Sequence, residues 1–390
     1  MSPLLQLLVA SVKLPLKYER RTLVSPKGQF MSELKVPDYR IRLFLSVDLT
    51  GSTAFKSKND RGLWRAAFRD FYGRFPRSFE DSFSKKCAEI GGMSQAEKDA
   101  KPHVWKTIGD EILFVNRVLS ITHLGAYVAA FSETLHSFGE FIGGAYSGLN
   151  AKGNGWIAAF PDPNTSIAVS HTAGDDPFAG VHGLETEEFE LEVDKSPKDF
   201  DFLGKGIDGG FRISRNSTVD TFTISPALAY LLTEAATNQG FTKFDLGFNF
   251  QDMQSFKGVL NGSPCPIISI DTMRSKEERE LREMETALLG RPAVVGEGEM
   301  GKFKAYLEKF IELRGVEKPR LKLSHGQDDL SPPDHYLEFV ETWRKNKEEA
   351  ATQDESQEAA SSADGDTSND GSLPSVEDVS RVFSNNPDVD

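Results

Sequence analysis

The sequence predicts an α+β fold in which helices cover a mostly antiparallel sheet. Three observations predict it. Ile41 to Val47 is a run of apolar and β-branched residues, the pattern of a buried strand. Val104 to Val115 sets two short apolar runs on either side of Gly109-Asp110, a hairpin signature. Helical spacing governs the stretches between, with Leu63, Trp64, Ala67, Phe68, Phe71, Tyr72 and Phe75 in one and Ile121, Leu124, Val128, Phe131, Leu135 and Phe138 in the other.

Composition bounds what such a fold does. The chain has 390 residues, 38% of them hydrophobic and 10% aromatic, enough for one large domain with appendages or for two. Cys87 and Cys265 form neither a disulfide framework nor a metal-ligand spacing, which points to the cytoplasm. A net charge of −14 argues against a nucleic-acid or anionic-membrane partner. Much of that charge falls in 351–390, where ten acidic residues face Arg381 alone, so 348–390 reads as a disordered acidic tail. Leu4, Leu5, Leu7, Leu8 and Val9 lie between Pro3 and Pro15, too short a run for a membrane span, and no basic segment marks a signal peptide. Residues 1–36 read as a lead-in helix.

The elements follow in order. Pro76 ends or kinks the first long helix, and Phe79 and Phe83 extend its face. Residues 91–102 read as a loop, Gly153 to Phe160 as a strand, and 166–170 as a second. His123 and His136 read as surface or boundary residues. Residues 171–200, rich in Asp and Glu, read as an exposed loop. Asp201 to Ser214 reads as a short strand, a Gly-rich turn and a helix carrying Phe211 and Arg212. Pro226 opens another helix at a favoured position. Phe256 to Leu260 and Pro264 to Asp271 read as a hairpin about Asn261-Gly262. Residues 273–347 alternate charged helices with breaks and read as a helical appendage.

Charge in apolar settings marks the chemistry. Asp48 closes the first strand, and Gly51, Ser52 and Thr53 follow at a helix start. Main-chain N–H groups of 49–54 there suit phosphate, and Asp48 suits a hard cation. Taken alone, a strand-end Asp beside a Ser/Thr cap explains the stretch equally well. It lacks the spacing of a Walker A loop. Lys106, Asp110 and Glu111 put three charges into an otherwise apolar hairpin.

Four of these segments, in order across about 41–271, resemble the class III nucleotidyl cyclase catalytic domain. Val47-Asp-Leu-Thr-Gly-Ser-Thr53 resembles its first metal-binding block, and Lys106-Thr-Ile-Gly-Asp-Glu111 its hairpin with the second metal-binding Asp. Asp201 to Arg212 is similar to the block bearing the base-contacting acid and the transition-state Arg. Lys257 in Phe-Lys-Gly-Val resembles the late triphosphate-binding Lys. Gly155 to Pro161 and Phe202 to Arg212 resemble the pyrimidine cyclases of the bacterial Pycsar antiphage system. Asp208 departs from the family pattern, which has Asn there.

The resemblance implies a ferredoxin-like catalytic domain over 37–272. It implies cyclisation of a nucleoside triphosphate, UTP before CTP, with two Mg²⁺ or Mn²⁺ ions on Asp48, Asp110 and the Leu49 carbonyl. Lys106 and Asp201 would face the base, Lys257 and residues 51–53 the phosphates, Arg212 the transferring phosphorus, and Asp208 a ribose hydroxyl. It implies a head-to-tail homodimer with sites at the interface and a separate effector reading the cyclic product. A cAMP-forming adenylate cyclase and a catalytically degenerate nucleotide-binding module remain alternatives. A diguanylate cyclase is disfavoured, because its doubled Gly is missing from Ile108-Gly-Asp-Glu-Ile112.

Overall fold

Strand β1 (Arg40–Thr50) is an interior strand of a seven-stranded sheet. The structure is a computed structural model describing residues 34–169, 184–239, 244, 246–288, 290, 295–328 and 330–363. Alternation along β1 sends Ile41, Leu43, Leu45, Val47 and Leu49 into one core and Phe44 into another. Helix α1 (Ser52–Lys58) follows at once, then α2 (Arg61–Ile90) and the short α3 (Gln95–Asp99). β2 (Val104–Ile108) and β3 (Glu111–Val118) form the predicted hairpin, with Gly109 at φ 61°. After α4 (Ile121–Ala145) comes β4 (Asn150–Phe160). The order β2-β3-β1-β4 is antiparallel throughout, with crossover helices α2 and α4. This is the split βαβ pair of ferredoxin-like folds, so the α+β reading is met.

The aromatic ladder of α2 explains the first core. Phe71, Phe75, Phe79 and Phe83 step by four and are fully buried. Pro76 was expected to end or kink this helix, yet α2 runs through it to Ile90. Burying each such Phe contributes about 1.5–3 kcal/mol, so the ladder outweighs a proline penalty of about 3 kcal/mol.

Beyond β4 come β5 (Thr165–Ala168), α5 (Glu187–Lys195), β6 (Phe200–Leu203), α6 (Lys205–Ile213), β7 (Thr221–Ile224) and α7 (Pro226–Gln239). The chain then adds β8 (Phe248–Ser255), β9 (Pro264–Asp271), α8 (Lys276–Leu288), α9 (Met300–Arg314) and α10 (Asp334–Ala363). β7, β9 and β8 extend the sheet past β4. β7 is parallel to β4 and pairs with it only at Asn154–Thr223 and Gly155–Ile224, after which the strands part. β5 and β6 make a separate two-stranded sheet, and Phe200 and Phe202 of β6 pack with Phe44, Trp105 and Trp156 in the second core.

Several expectations are corrected. Residues 91–102 contain α3, started by a capping box between Ser94 and Glu97. The acidic stretch 171–200 is not all exposed loop: α5 sets Glu187, Glu190 and Asp194 against the buried Arg40 and Arg42 of β1. Residues 171–183 of this stretch lie outside the described residues. The arm preceding Pro264 is Phe248–Ser255 rather than 256–260, which form the connecting turn. Within the stretch read as an appendage, α9 supplies Met300, Phe303, Leu307, Phe310 and Ile311 to the main core. α10 continues to Ala363, into the stretch read as tail. Residues 34–344 form one compact unit, and 345–363 of α10 belong to a second. The expected lead-in helix, apart from 34–36, and residues 364–390 of the tail lie outside the described residues. Among the described residues, no helix is long and apolar enough to cross a membrane.

His123 is fully buried, not a surface residue. It accepts a hydrogen bond from the Leu119 N–H at 3.2 Å through Nδ1, and packs on Phe83 and Tyr127. Burial lowers its pKa from 6.5 to about 4, with Glu97 opposing. The unfolded chain therefore binds a proton that the folded chain refuses between those values, and stability falls as pH drops through that window. Thermal unfolding across pH 7 to 4 should show this loss, and His123→Gln should flatten it. An unchanged slope in the variant would assign the loss to other groups.

Candidate active site

β1 does not stop at the acid. The ladder to β4 continues as far as Thr50–Asn150 and holds Asp48 inside the strand, between Glu111 on β3 and Lys152 on β4. Asp48 therefore shares the Phe44 face of the sheet. Gly51 then turns the chain at φ 84°, where a Cβ would lie 2.2 Å from the Gly148 carbonyl oxygen. Only glycine makes this turn without displacing the backbone.

Asp110 reaches the same place from the hairpin. The Leu49 N–H donates to the Asp110 carbonyl at 3.0 Å, and the buried Ser52 hydroxyl donates to its carboxylate. Tyr72 of α2 donates its hydroxyl to the Gly109 carbonyl, so the turn is held from both neighbouring elements. These bonds use the Leu49 N–H and the Ser52 hydroxyl, two of the donors expected to meet phosphate. Thr53 is exposed beside them.

Charge is poorly balanced in this corner. Burial pushes the Asp48 carboxyl above the usual carboxylate range; Lys152, with Nζ at 3.7 Å, opposes this and Asp110 adds to it. Burial also raises Glu111, the Ser46 hydroxyl bond opposes, and Asp48 raises it further. Among the described residues, no three His, Cys, Asp or Glu side chains converge as a metal site. Mg²⁺ needs no such shell, since it takes one or two carboxylates and keeps waters or substrate phosphates. Asp48, Asp110 and the Leu49 carbonyl are hard oxygen donors, and a dication there offsets the burial and the neighbouring Asp110 charge that lift Asp48. The residues fit a hard divalent cation.

Lys106 and Asp201 meet, although they are 95 residues apart: Nζ lies 2.9 Å from Oδ1. The Lys106 ammonium also lies over the Trp105 ring, 3.9 Å from its centre. Both side chains remain partly exposed, so a ligand can approach them.

Arg212 is placed by the glycines of α6. The stretch expected to be a Gly-rich turn is helical apart from Gly204, and Gly206 and Gly210 serve packing. A Cβ at Gly210 would lie 2.3 Å from the Trp156 ring, so the helix seats directly on the sheet. Asp208 is exposed one turn before the half-buried Arg212. A Cβ at Gly258 would lie 3.7 Å from an Arg212 terminal nitrogen, which brings Arg212 beside the loop bearing the exposed Lys257. No hydrogen bond or ion pair among the described residues joins the Asp48 corner to the Arg212–Lys257 region.

Sequence reasoning missed Ser46, Tyr72 and Lys152. Ser46 and Lys152 carried a signal, as polar residues within apolar or small-residue strands. Tyr72 carried none, since its aromatic ring fits the helical face whether or not the hydroxyl is used.

No protein-family model matches the sequence, and no curated protein matches it. Solved structures of similar shape include the adenylyl cyclase CyaB from P. aeruginosa, at 10% identity and TM-score 0.39, over 61% of this chain and 96% of that one. The guanylyl cyclase Cya2 matches at 12% identity and TM-score 0.37, over 60% and 93%. The guanylate cyclase domain of RhGC from Catenaria anguillulae, in complex with GTP, matches at 12% and 0.36, over 61% and 100%.

The turn at Gly51 gives a direct test. Gly51→Ala should lower unfolding stability by at least about 1–3 kcal/mol from backbone strain alone, measured by denaturant titration. A variant as stable as the parent would mean that the close approach to Gly148 relaxes freely.

Proposed function

We propose that this chain is a nucleotidyl cyclase that converts a pyrimidine nucleoside triphosphate, UTP before CTP, to its 3′,5′-cyclic monophosphate and pyrophosphate. The observation that carries the reading is the meeting of Asp48 and Asp110. These acids come from two separate motifs and share one sheet end, with too little counter-charge of their own. In the reaction the ribose 3′-oxygen bonds to the α-phosphorus, the bond to the β-phosphate bridging oxygen breaks, and the hydroxyl proton leaves to solvent. Divalent ions bound at Asp48, Asp110 and the Leu49 carbonyl would acidify that hydroxyl and neutralise the triphosphate.

The chain's own groups do the rest. Lys106 donates to a base acceptor and Asp201 accepts from a base donor, which orients the nucleoside. Lys257 pairs with the outer phosphates. Arg212 stabilises charge developing around the phosphorus. Asp208 accepts from a ribose hydroxyl while staying in solvent, where its charge does not oppose the phosphate. Among the described residues no hydrogen bond or ion pair joins the acids to the Arg212–Lys257 region, which supports a head-to-tail homodimer with two shared sites. The resemblance to the Pycsar cyclases supports a pyrimidine substrate, a cytoplasmic second-messenger role in bacterial antiphage defence, and a separate effector that reads the product.

Incubation of the purified protein with each of the four nucleoside triphosphates and Mn²⁺, with products identified by mass, should yield cUMP foremost. Absence of any cyclic nucleotide would sink the reading. Asp48→Asn should abolish turnover while leaving the melting temperature equal or higher, because the ionised acid is disfavoured where it lies.

Subunit mixing tests the shared site. Asp48→Ala and Arg212→Ala homodimers should each be inactive, the second by roughly a hundredfold or more. After random exchange about half the dimers are mixed, each with one intact site, so activity should return toward about a quarter of wild type. Confirmed heterodimers as inactive as their parents would place both residues in one subunit's site.

A further inference from the structure

The parting of β4 from β7 leaves a cleft of about 360 Å³. Ser225 N–H donates to the Gly155 carbonyl at 3.0 Å, which fixes the edge that Gly155 presents to β7. Alternation along the strand then points the N–H and C=O of Ile157 and Ala159 to that same edge. Asn164 Nδ2, donating to the Ala159 carbonyl at 3.0 Å, agrees with this direction. The Ile157 N–H and C=O and the Ala159 N–H have no partner on this edge among the described residues, although both residues are buried and line the cleft. Buried main-chain groups are nearly always paired, so these three call for an occupant.

The groups define its chemistry. The Ile157 carbonyl and the Ala159 N–H set an acceptor beside a donor on one strand edge. The complementary ligand presents a donor beside an acceptor, as the hydrogen-bonding edge of a nucleobase does. Ala227, Val259, Leu260 and Val316 supply apolar walls for a flat ring, and Lys205 and Arg314 stand exposed among the lining residues. Glu317 also lines the cleft, but it is held by the Tyr39 hydroxyl at 3.1 Å and by His335 Nε2 at 3.0 Å. The volume lies in the small-ligand range of about 300–1,000 Å³.

We propose that this cleft binds a nucleoside monophosphate, with the base on the free edge of β4 and the phosphate on Lys205 and Arg314. The occupant would also set the neighbouring loop. Val259 and Leu260 wall the cleft, and Leu260 is held at φ 49°, a conformation uncommon for a residue other than Gly or Asn. The same loop carries Lys257 and places Gly258 beside Arg212. A bound base that fixes Leu260 fixes the phosphate-binding lysine; this regulatory half rests on the proposed cyclase reading.

Calorimetric titration of the full chain with UMP, CMP, AMP and GMP, without divalent metal, tests the site. At least one nucleotide should bind saturably. The Lys205→Glu, Arg314→Glu double variant should weaken it tenfold or more, with circular dichroism unchanged since both residues are exposed. The Lys106→Ala, Asp201→Ala double variant should bind as the parent does, and the bound nucleotide should slow hydrogen exchange at Ile157 and Ala159. The proposal is overturned if no nucleotide binds at millimolar concentration, which leaves water in the cleft. It is equally overturned if binding survives reversal of Lys205 and Arg314, or is lost with Lys106 and Asp201, which places the nucleotide in the candidate active site. Turnover plays no part in this readout, so a chain that makes no cyclic nucleotide leaves the binding result standing.

Discussion

The register of β1 is the constraint on which the rest depends. It is hydrogen-bonded along both edges and buried on both faces, and its side chains divide strictly by parity. Odd residues hold the helices α2 and α4 to the sheet. Even residues carry Arg40, Arg42, Phe44, Ser46 and Asp48 in a line. A slip of one residue would drive Asp48 into the aromatic core and turn Leu49 toward the candidate site. The placement of Asp48 and the packing of the largest core are thus one requirement.

The even line is anchored at its far end from Asp48. Arg42 is almost wholly buried, yet it meets Glu190 and Asp194 at 2.6 Å each and the Ser166 hydroxyl at 2.9 Å. Arg40 meets Asp194 at 2.7 Å and also pairs with Glu187. Removing one member of such a network leaves its partner charged and buried, which is more damaging than replacing the whole set by apolar residues. The network ties β1 to α5 and completes the second core around Phe44, Trp156 and Phe202. Corner and anchor occupy opposite ends of one strand, so the acid is held by backbone pairing and the anchor by charge.

Period and punctuation made much of this legible from sequence. The β1 strand, the Gly109-Asp110 hairpin and the long helices follow from alternation, spacing and turn chemistry, and the ferredoxin-like core was implied by the resemblance. Lys106 and Asp201, which the resemblance set facing a base, lie 2.9 Å apart. What stayed hidden depends on partners remote in sequence. Nothing near Glu190 reveals that Arg42 buries it, so an acidic stretch reads as solvated. The four phenylalanines around Pro76 were legible, but nothing near them reveals the remote partners, Phe114 and Phe131 among them, that bury them and hold the helix together against it. His123 lies on an apolar helix face, but its lack of a polar neighbour in sequence says nothing of burial. The strand that precedes the Lys257 loop was misplaced because β8 is polar along its exposed outer half, and periodicity has no apolar face to report there.

The glycines of α6 carry a different kind of consequence. Gly206 and Gly210 bring the helix backbone down onto Asn164 and Trp156 without any side chain between. A helix seated this closely has no cushion of flexible atoms with which to absorb error. Its height above the sheet is fixed by main chain and an aromatic ring, both stiff, so Arg212 inherits a tolerance set by covalent geometry rather than by rotamer choice. Evolution can therefore alter what this helix presents to solvent far more freely than it can alter where the helix stands. The two glycines and Trp156 must change together or not at all.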